Sequence, residues 1–389
     1  MSLLLASLLL VSCGSGGGSL IAAGGGIGGS GIISRGVITA FGSIVVNGSE
    51  FDTSNAVIIV DGEEQGVGDD VVLDNLDIGR VVTVEGTVSE DGNRVVADRV
   101  IYSDDVEGPV QSIADIDAEA KEIIVLGQTV IVDVDTEFKG TTLSTIALND
   151  VVEVSGLFDE TGAIRASFLE KTGDFTPGVQ VDVKGFVENL DTEQLTFEIN
   201  DLTVDYALAD ISGLPEGLVA NGLFVEVEGT LDATGGQMLA TEIELADELD
   251  AEEEDEIELM GYVTDFVSEF EFTVGNQVVH TDEDTMFVGG QADDVGLGVI
   301  IEVEGSLEEG ILFAEEVEFW HPDRIEVKGV VTDFVSIFEF TVGDQVVHTD
   351  EETIFEDMSP EDIELGVRLE VEGVVESGIL LADKISSWD

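Results

Sequence analysis

The stretch Val299–Gly305, VIIEVEG, alternates apolar and acidic side chains and closes on glycine. A period of two is the pattern of a β-strand with one face in a core and the other in water. The phrase recurs as VVTVEG ending at Gly86, VVEVSG at Gly156, LFVEVEG at Gly229 and RLEVEG at Gly373. The closing glycines fall roughly 68–76 residues apart, and a recurring period marks an array of structural repeats. The 389 residues therefore read as five small units rather than a few large domains. A lone unit of this size buries little surface and is expected to be marginal by itself.

Seven residues before each closing glycine stand Gly79, Asn149, Gly222, Gly298 and Gly366. Glycine and asparagine enter the left-handed region most readily. Three residues further back are Leu76, Ile146, Val219, Val295 and Ile363, all apolar. This spacing predicts a short helical turn that plugs a core, a left-handed closing residue, and then the strand. Each unit opens on an aligned glycine, Gly36, Gly108, Gly185, Gly261 or Gly329, set inside an apolar run. Glycine within a strand is read as a bulge or sharp bend. Tight hairpins are expected at Asn47-Gly48, Leu126-Gly127, Asn200-Asp201, Gly275-Asn276 and Gly343-Asp344. After each closing glycine comes a second hairpin, whose returning strand carries Ala97, Ala166, Ala240, Ala314 or Ala382. These alanines are read as points of close packing between strands.

Three strands, a helical turn and a two-strand hairpin resemble the OB-fold, a five-stranded, partly open barrel; an array of β-sandwiches is the alternative. The expected fold class is all-β, a tandem array of five small OB-like five-stranded barrels. The expected units are 35–106, 107–178, 179–248, 257–323 and 324–389, with an acidic linker at 249–256. Units four and five are near copies: residues 261–287 and 329–355 differ at five of 27 positions. The motifs G-x-V-T-D-F (Gly329–Phe334), D/E-T-x-F (Asp135–Phe138, Asp284–Phe287, Glu352–Phe355) and G-V-x-[LI]-E-V-E-G (Gly298–Gly305, Gly366–Gly373) resemble a repeat domain of unknown function found in bacterial lipoproteins. The resemblance covers about residues 35–389. It implies a fold and a compartment, and no activity.

The N-terminus bears on compartment too. Residues 1–12 hold an apolar run too short to span a bilayer. Leu10-Val11-Ser12-Cys13 resembles the lipobox of bacterial lipoproteins. That resemblance implies a signal peptide over 1–12, cleavage before Cys13 and acylation of Cys13. Gly14 after the cysteine favours the outer membrane by the same resemblance, with the chain facing the periplasm or the cell surface. Residues 13–34 then form the lipidated Cys13 and a Gly-rich tether, with ten glycines among positions 14–31. Cys13 is the one cysteine, so the chain has no internal disulfide.

Charge bounds the partners. Thirteen Lys and Arg stand against 85 Asp and Glu, a formal net charge of −72. Hydrophobic residues make up 43% of the chain, too many for an acidic disordered segment. No basic residue lies between Lys184 and Arg324. Nucleic acid and anionic lipid surfaces are therefore not expected partners, since both are recognised through Lys and Arg. Glycans, proteins and weakly associated divalent cations remain open.

No motif carries catalysis or a cofactor. Neither G-x-S-x-G nor H-E-x-x-H occurs. His280 and His348 are one position copied, each ahead of an acidic pair, and a metal needs several convergent ligands. Asp115–Glu119 and Asp133–Glu137 lack the glycine and glutamate of a calcium loop, and are read as the wet side of strands. Asp247–Glu258 holds nine acids in twelve positions and reads as a solvated linker. Trp320 and its repeat mate Trp388 are read as packing residues at unit ends, with sugar stacking as the alternative. A glycosidase would need a carboxylic acid of raised pKa in a cleft, and small barrels in a row are expected to offer none. The expectation is a non-catalytic, lipid-anchored envelope protein, a binding or spacer module. The alternatives are a calcium-stabilised adhesin or an enzyme acting on envelope polysaccharide. Without a contiguous metal loop, sodium and calcium are expected to stabilise it alike, by screening.

Overall fold

The computed structural model describes residues 31–41, 43–88, 95–232, 236–246, 249, 255–320, 324–343, 345–350, 353–356, 358–376 and 379–387. Cys13, most of the tether, His321 and Trp388 lie outside the described residues.

Unit four shows the plan. Its first strand, Glu256–Ser268, pairs antiparallel with Glu271–Val274, which pairs with Gln277–His280. That third strand runs parallel to the last, Ile311–Phe319. The last strand pairs with Ile300–Glu308, which returns to the first. The five strands close a barrel, and the short strand Met286–Val288 lengthens its parallel seam. This is the OB topology, and the same connections recur in the other four units. Unit one adds a hairpin, Val57–Val60 with Glu63–Val67, and turns its helical element into an α-helix, Asp69–Asn75.

Local chemistry explains the recurring positions. Gly79, Asn149, Gly222, Gly298 and Gly366 have φ of 93°, 66°, 87°, 78° and 91°, the left-handed region their residue types favour. Leu76, Ile146, Val295 and Ile363 plug their cores as expected. In unit three Leu214 is the buried plug, and Val219 only packs against its edge. The opening glycines are not the bulges themselves. The register shift falls beyond them, between Val263 and Asp265 in unit four and between Val331 and Asp333 in unit five. The glycine instead makes room for the first hairpin. A Cβ on Gly108 would strike the Leu126 side chain, and one on Gly261 the Val274 side chain.

The closing glycine and the aligned alanine are one device. Gly86–Ala97, Gly156–Ala166, Gly229–Ala240, Gly305–Ala314 and Gly373–Ala382 are cross-strand partners, each at a register shift. A Cβ on any of these glycines would collide with the backbone carbonyl of the residue before the alanine. In three units the T-x-F threonine completes the device. Thr136, Thr285 and Thr353 donate Oγ1 to the carbonyl oxygens of Ala166, Ala314 and Ala382 at 2.8, 2.9 and 2.8 Å. The family-like motifs are thus fold chemistry.

The barrels are joined through non-neighbouring units. The first strand of unit one, Gly31–Ala40, runs parallel to that of unit four, with Ile32 opposite Glu256 and Ser34 opposite Glu258. Ile32 points into the core of unit one and Ile33 into the core of unit four. A strand buried on both faces is apolar on both, so residues 31–34 are strand, not tether. For the same reason the acidic run does not stay solvated to its end: Glu256–Glu258 begin a strand and Glu258 is 3% exposed. Units two and three share one core and one sheet through Val106 opposite Val183.

Units one and two meet on Arg80, 5% exposed. Its Nη1 pairs with Glu153, its Nη2 donates to Glu170 Oε2 at 3.2 Å, and its guanidinium lies 4.3 Å from the Tyr102 ring centroid and 4.6 Å from that of Phe168.

Candidate functional site

The acidic face of VIIEVEG lines a cavity between units rather than the outer surface. Ile301 and Val303 fill the barrel core, while Glu302 and Glu304 are part-buried in the wall of a chamber of about 1030 Å³. Units one, two, four and five all contribute to that wall. Small-molecule sites commonly have this size, so the expectation that a row of barrels offers no cleft is wrong. It fails because the units fold back on one another.

Pairing sets the chemistry of the wall. Glu258 lies opposite Glu304, Glu304 opposite Glu316, and Glu302 opposite Glu318. Like charges directly across strands repel. Unit one places Arg99 where unit four has Glu316, and Arg99 pairs with Glu85 at 2.9 Å. Unit five places Lys384 there, opposite Glu372. Lys384 reaches out of its own unit, with Nζ 3.4 Å from both Glu316 and Glu356. Among the described residues, twelve acidic side chains line the chamber against two cationic ones, Arg165 and Lys384.

Burial raises these acids. Glu258 is pushed up to about 7, and Glu304, which also shares a hydrogen bond with Glu256, to about 9. Glu302 is held well above the usual carboxylate range by burial and by Glu318. Ser49 Oγ donates to Glu258 Oε1 at 3.3 Å across the seam between units one and four. Glu258 Oε2 and Asn47 Oδ1, in the same wall, are buried without a hydrogen-bond partner.

These shifts fix a pH dependence. The folded chain holds protons on Glu258 and Glu304 that the unfolded chain releases near pH 4.3. Between that pH and about 9 the native state binds more protons, so stability falls as pH rises. The melting temperature is expected to be higher at pH 5 than at pH 9 in constant salt. Scanning calorimetry across that range checks it; a rise with pH would contradict the buried-carboxylate geometry.

Of the residues singled out in sequence, Asp133, Asp135 and Trp320 stand in the chamber wall, and the others fall elsewhere or do other work. His280 stacks edge-on against Phe313 at 5.5 Å, and no other histidine, cysteine or acid joins it in a ligand cluster among the described residues. His348 lies in the matching strand of unit five. Asp117 and Asp133 accept backbone N–H bonds from Glu119 and Asp135 at 2.8 and 2.9 Å, so both acidic stretches close turns after strands rather than line a wet face. Trp320 is half-exposed in the chamber wall, not packed into an interface. Glu258, Glu316 and Lys384 were not legible as site residues. The one sequence signal of Glu316 and Lys384 is the position two after the aligned alanine, which reads Arg99, Phe168, Glu242, Glu316 and Lys384 along the units, and Glu258 has none.

Comparison with known proteins follows the same division. Among solved structures, drosophila Unr CSD456 aligns at 14% identity over 56% of this chain and 98% of that one, with a TM-score of 0.13, too low to carry an argument. No curated protein matches the chain. A family profile described as Domain of unknown function (DUF5666) matches residues 30–101, 107–170, 184–244, 260–318 and 328–386, one match for each barrel. The chain therefore belongs to the DUF5666 family, as a tandem array of five of its domains.

Proposed function

We propose that the chain is a non-catalytic, lipid-anchored module of the bacterial envelope whose folded-back barrels bind organic polycations in the acidic chamber. The observation that carries this reading is the wall of twelve acidic side chains against two cations among the described residues, nine of them besides the raised Glu258, Glu302 and Glu304. A volume of about 1030 Å³ is too large for a single ion and suits an extended, amine-bearing molecule. Tyr262, Phe313 and Trp320 in the wall add ring faces that attract cations. The acid-rich wall gives no support to nucleic acid as a partner. Anchoring rests on the Leu10–Cys13 resemblance, and several acyl chains would hold the chain at the outer membrane.

Spermine is a suitable probe. Titration calorimetry is expected to give saturable binding, weakened at least about tenfold in the double variant Glu315→Gln/Glu316→Gln. Binding no tighter than that of sodium at equal ionic strength would end the reading. Cys13→Ser is expected to move the protein from the membrane to the soluble fraction, and its retention with the membrane would remove the anchor. The raised acids favour one other reading, hydrolysis of an envelope polysaccharide with Glu258 as acid. Release of reducing sugar, lost in Glu258→Gln, would put that reading first.

A further inference from the structure

Away from the chamber, the seam between units two and three holds a separate cluster. Asp104 sits in the connection leading into unit two, Asp182 on the first strand of unit three (Gln180–Phe186) and Glu226 on its fourth (Phe224–Leu231). Each offers one carboxylate oxygen, and the three oxygens lie within 4.8 Å of one another. Asp104 is 5% exposed. Asp182 and Glu226 are part-buried, and the Asp182 Oδ1 atom is itself buried with no hydrogen-bond partner among the described residues.

The local charge does not balance. Lys184, 1% exposed, donates Nζ to the carbonyl oxygen of Ser103 at 3.2 Å and lies opposite Glu226 in the strand pairing. Ser103 Oγ donates to Glu226 Oε2 at 3.4 Å. One buried ammonium among three carboxylates leaves two negative charges. Burial pushes both aspartates well above the ordinary carboxylate range, and their neighbouring carboxylates add to it. A buried charge without a counter-charge is costly. Protons or a bound cation can relieve that cost.

The geometry suits a cation. Calcium–oxygen bonds run about 2.3–2.6 Å, so ligands on opposite sides of one ion stand at most about 5 Å apart. Oxygens within 4.8 Å of one another fit around such a centre. A set made of oxygen alone selects hard cations over zinc or copper. The orphaned Asp182 Oδ1 gives the second, independent sign of a missing partner. We propose that this seam binds one divalent cation of the calcium type, with Asp104, Asp182 and Glu226 as its carboxylate ligands, tying unit three to the connection that enters unit two. The ligands come from three separate segments, so a search for a contiguous calcium loop does not find them. The proposal is independent of the chamber reading.

The test uses the full chain after dialysis against chelator, melted at increasing calcium chloride with sodium chloride at matched ionic strength as control. A saturating rise in Tm is expected with calcium, about 5 °C at a hundredfold excess over Kd. Asp182→Asn is expected to leave Tm no lower without calcium, because an amide replaces an acid held neutral by burial, and to abolish the saturating rise with calcium. Should that variant not fold, Glu226→Gln reads the same loss. Glu316→Gln, in the chamber, keeps the calcium rise. A calcium response that does not saturate and matches sodium overturns the proposal, as does a full calcium rise in either ligand variant.

Discussion

Gly305→Ala is expected to destabilise unit four by about 3 kcal/mol or more, although it adds a single methyl group. Gly305 faces Ala314 where the register of the last two strands shifts, and the new Cβ would fall onto the carbonyl oxygen of Phe313. That oxygen belongs to the backbone and cannot swing aside, and the next carbonyl along is already held by Thr285 Oγ1 at 2.9 Å. Overpacking of this kind costs about 1–3 kcal/mol even where side chains can adjust. Gly310→Ala is the control. Gly310 has φ of 83° with open space around it, so only the left-handed strain of about 1 kcal/mol applies. Denaturant unfolding of both variants checks the pair. Equal losses would mean that the glycine–alanine device is not what fixes the strand pairing.

The second large effect belongs to Arg80. Its guanidinium is buried between units one and two, sandwiched by Tyr102 and Phe168, and answers Glu153 and Glu170. Tyr102 Oη also donates to Glu153 Oε1 at 2.6 Å. Arg80→Met keeps much of the stem but leaves Glu153 without its counter-charge, while Glu170 keeps Lys139 Nζ at 3.2 Å. Breaking a buried pair from one side costs about 3–5 kcal/mol. Adding Glu153→Gln to the variant is expected to recover part of that loss, because the stranded charge is removed. No recovery would mean that packing of the guanidinium, and not charge, holds the seam.

The two cases show what could be read from sequence. Each barrel was legible because its signals are local: alternation in VIIEVEG, a left-handed residue seven positions earlier, an alanine on the returning strand. Even Leu126-Gly127, a poor-looking turn, takes φ of 48° and 77° and closes its hairpin. The assembly was not legible, because its signals are pairwise and distant. Nothing in Ile32 and Ile33 says that their side chains enter two different barrels. Glu258 looked like the end of a solvated acidic run, yet the strand of unit one covers it. Asp104, Asp182 and Glu226 stand far apart in the chain and share no motif. In a chain with 85 acids, the few that converge have no local mark.

The chamber depends on barrels that fold back on one another, and the parallel pairing of units one and four is the most direct place to test that. Ser34 and Glu258 are partners in this pairing, although three units separate them in the chain. Neighbouring strands hold Cα atoms about 5 Å apart, within the range a disulfide spans. In a Cys13→Ser background, Ser34→Cys with Glu258→Cys makes the only two thiols in the protein. Mild oxidation of the folded chain is predicted to join them, seen as a faster-running monomer on a non-reducing gel that reverts with reductant. Two thiols that stay free in the folded protein, or that link only between molecules, would contradict the fold-back.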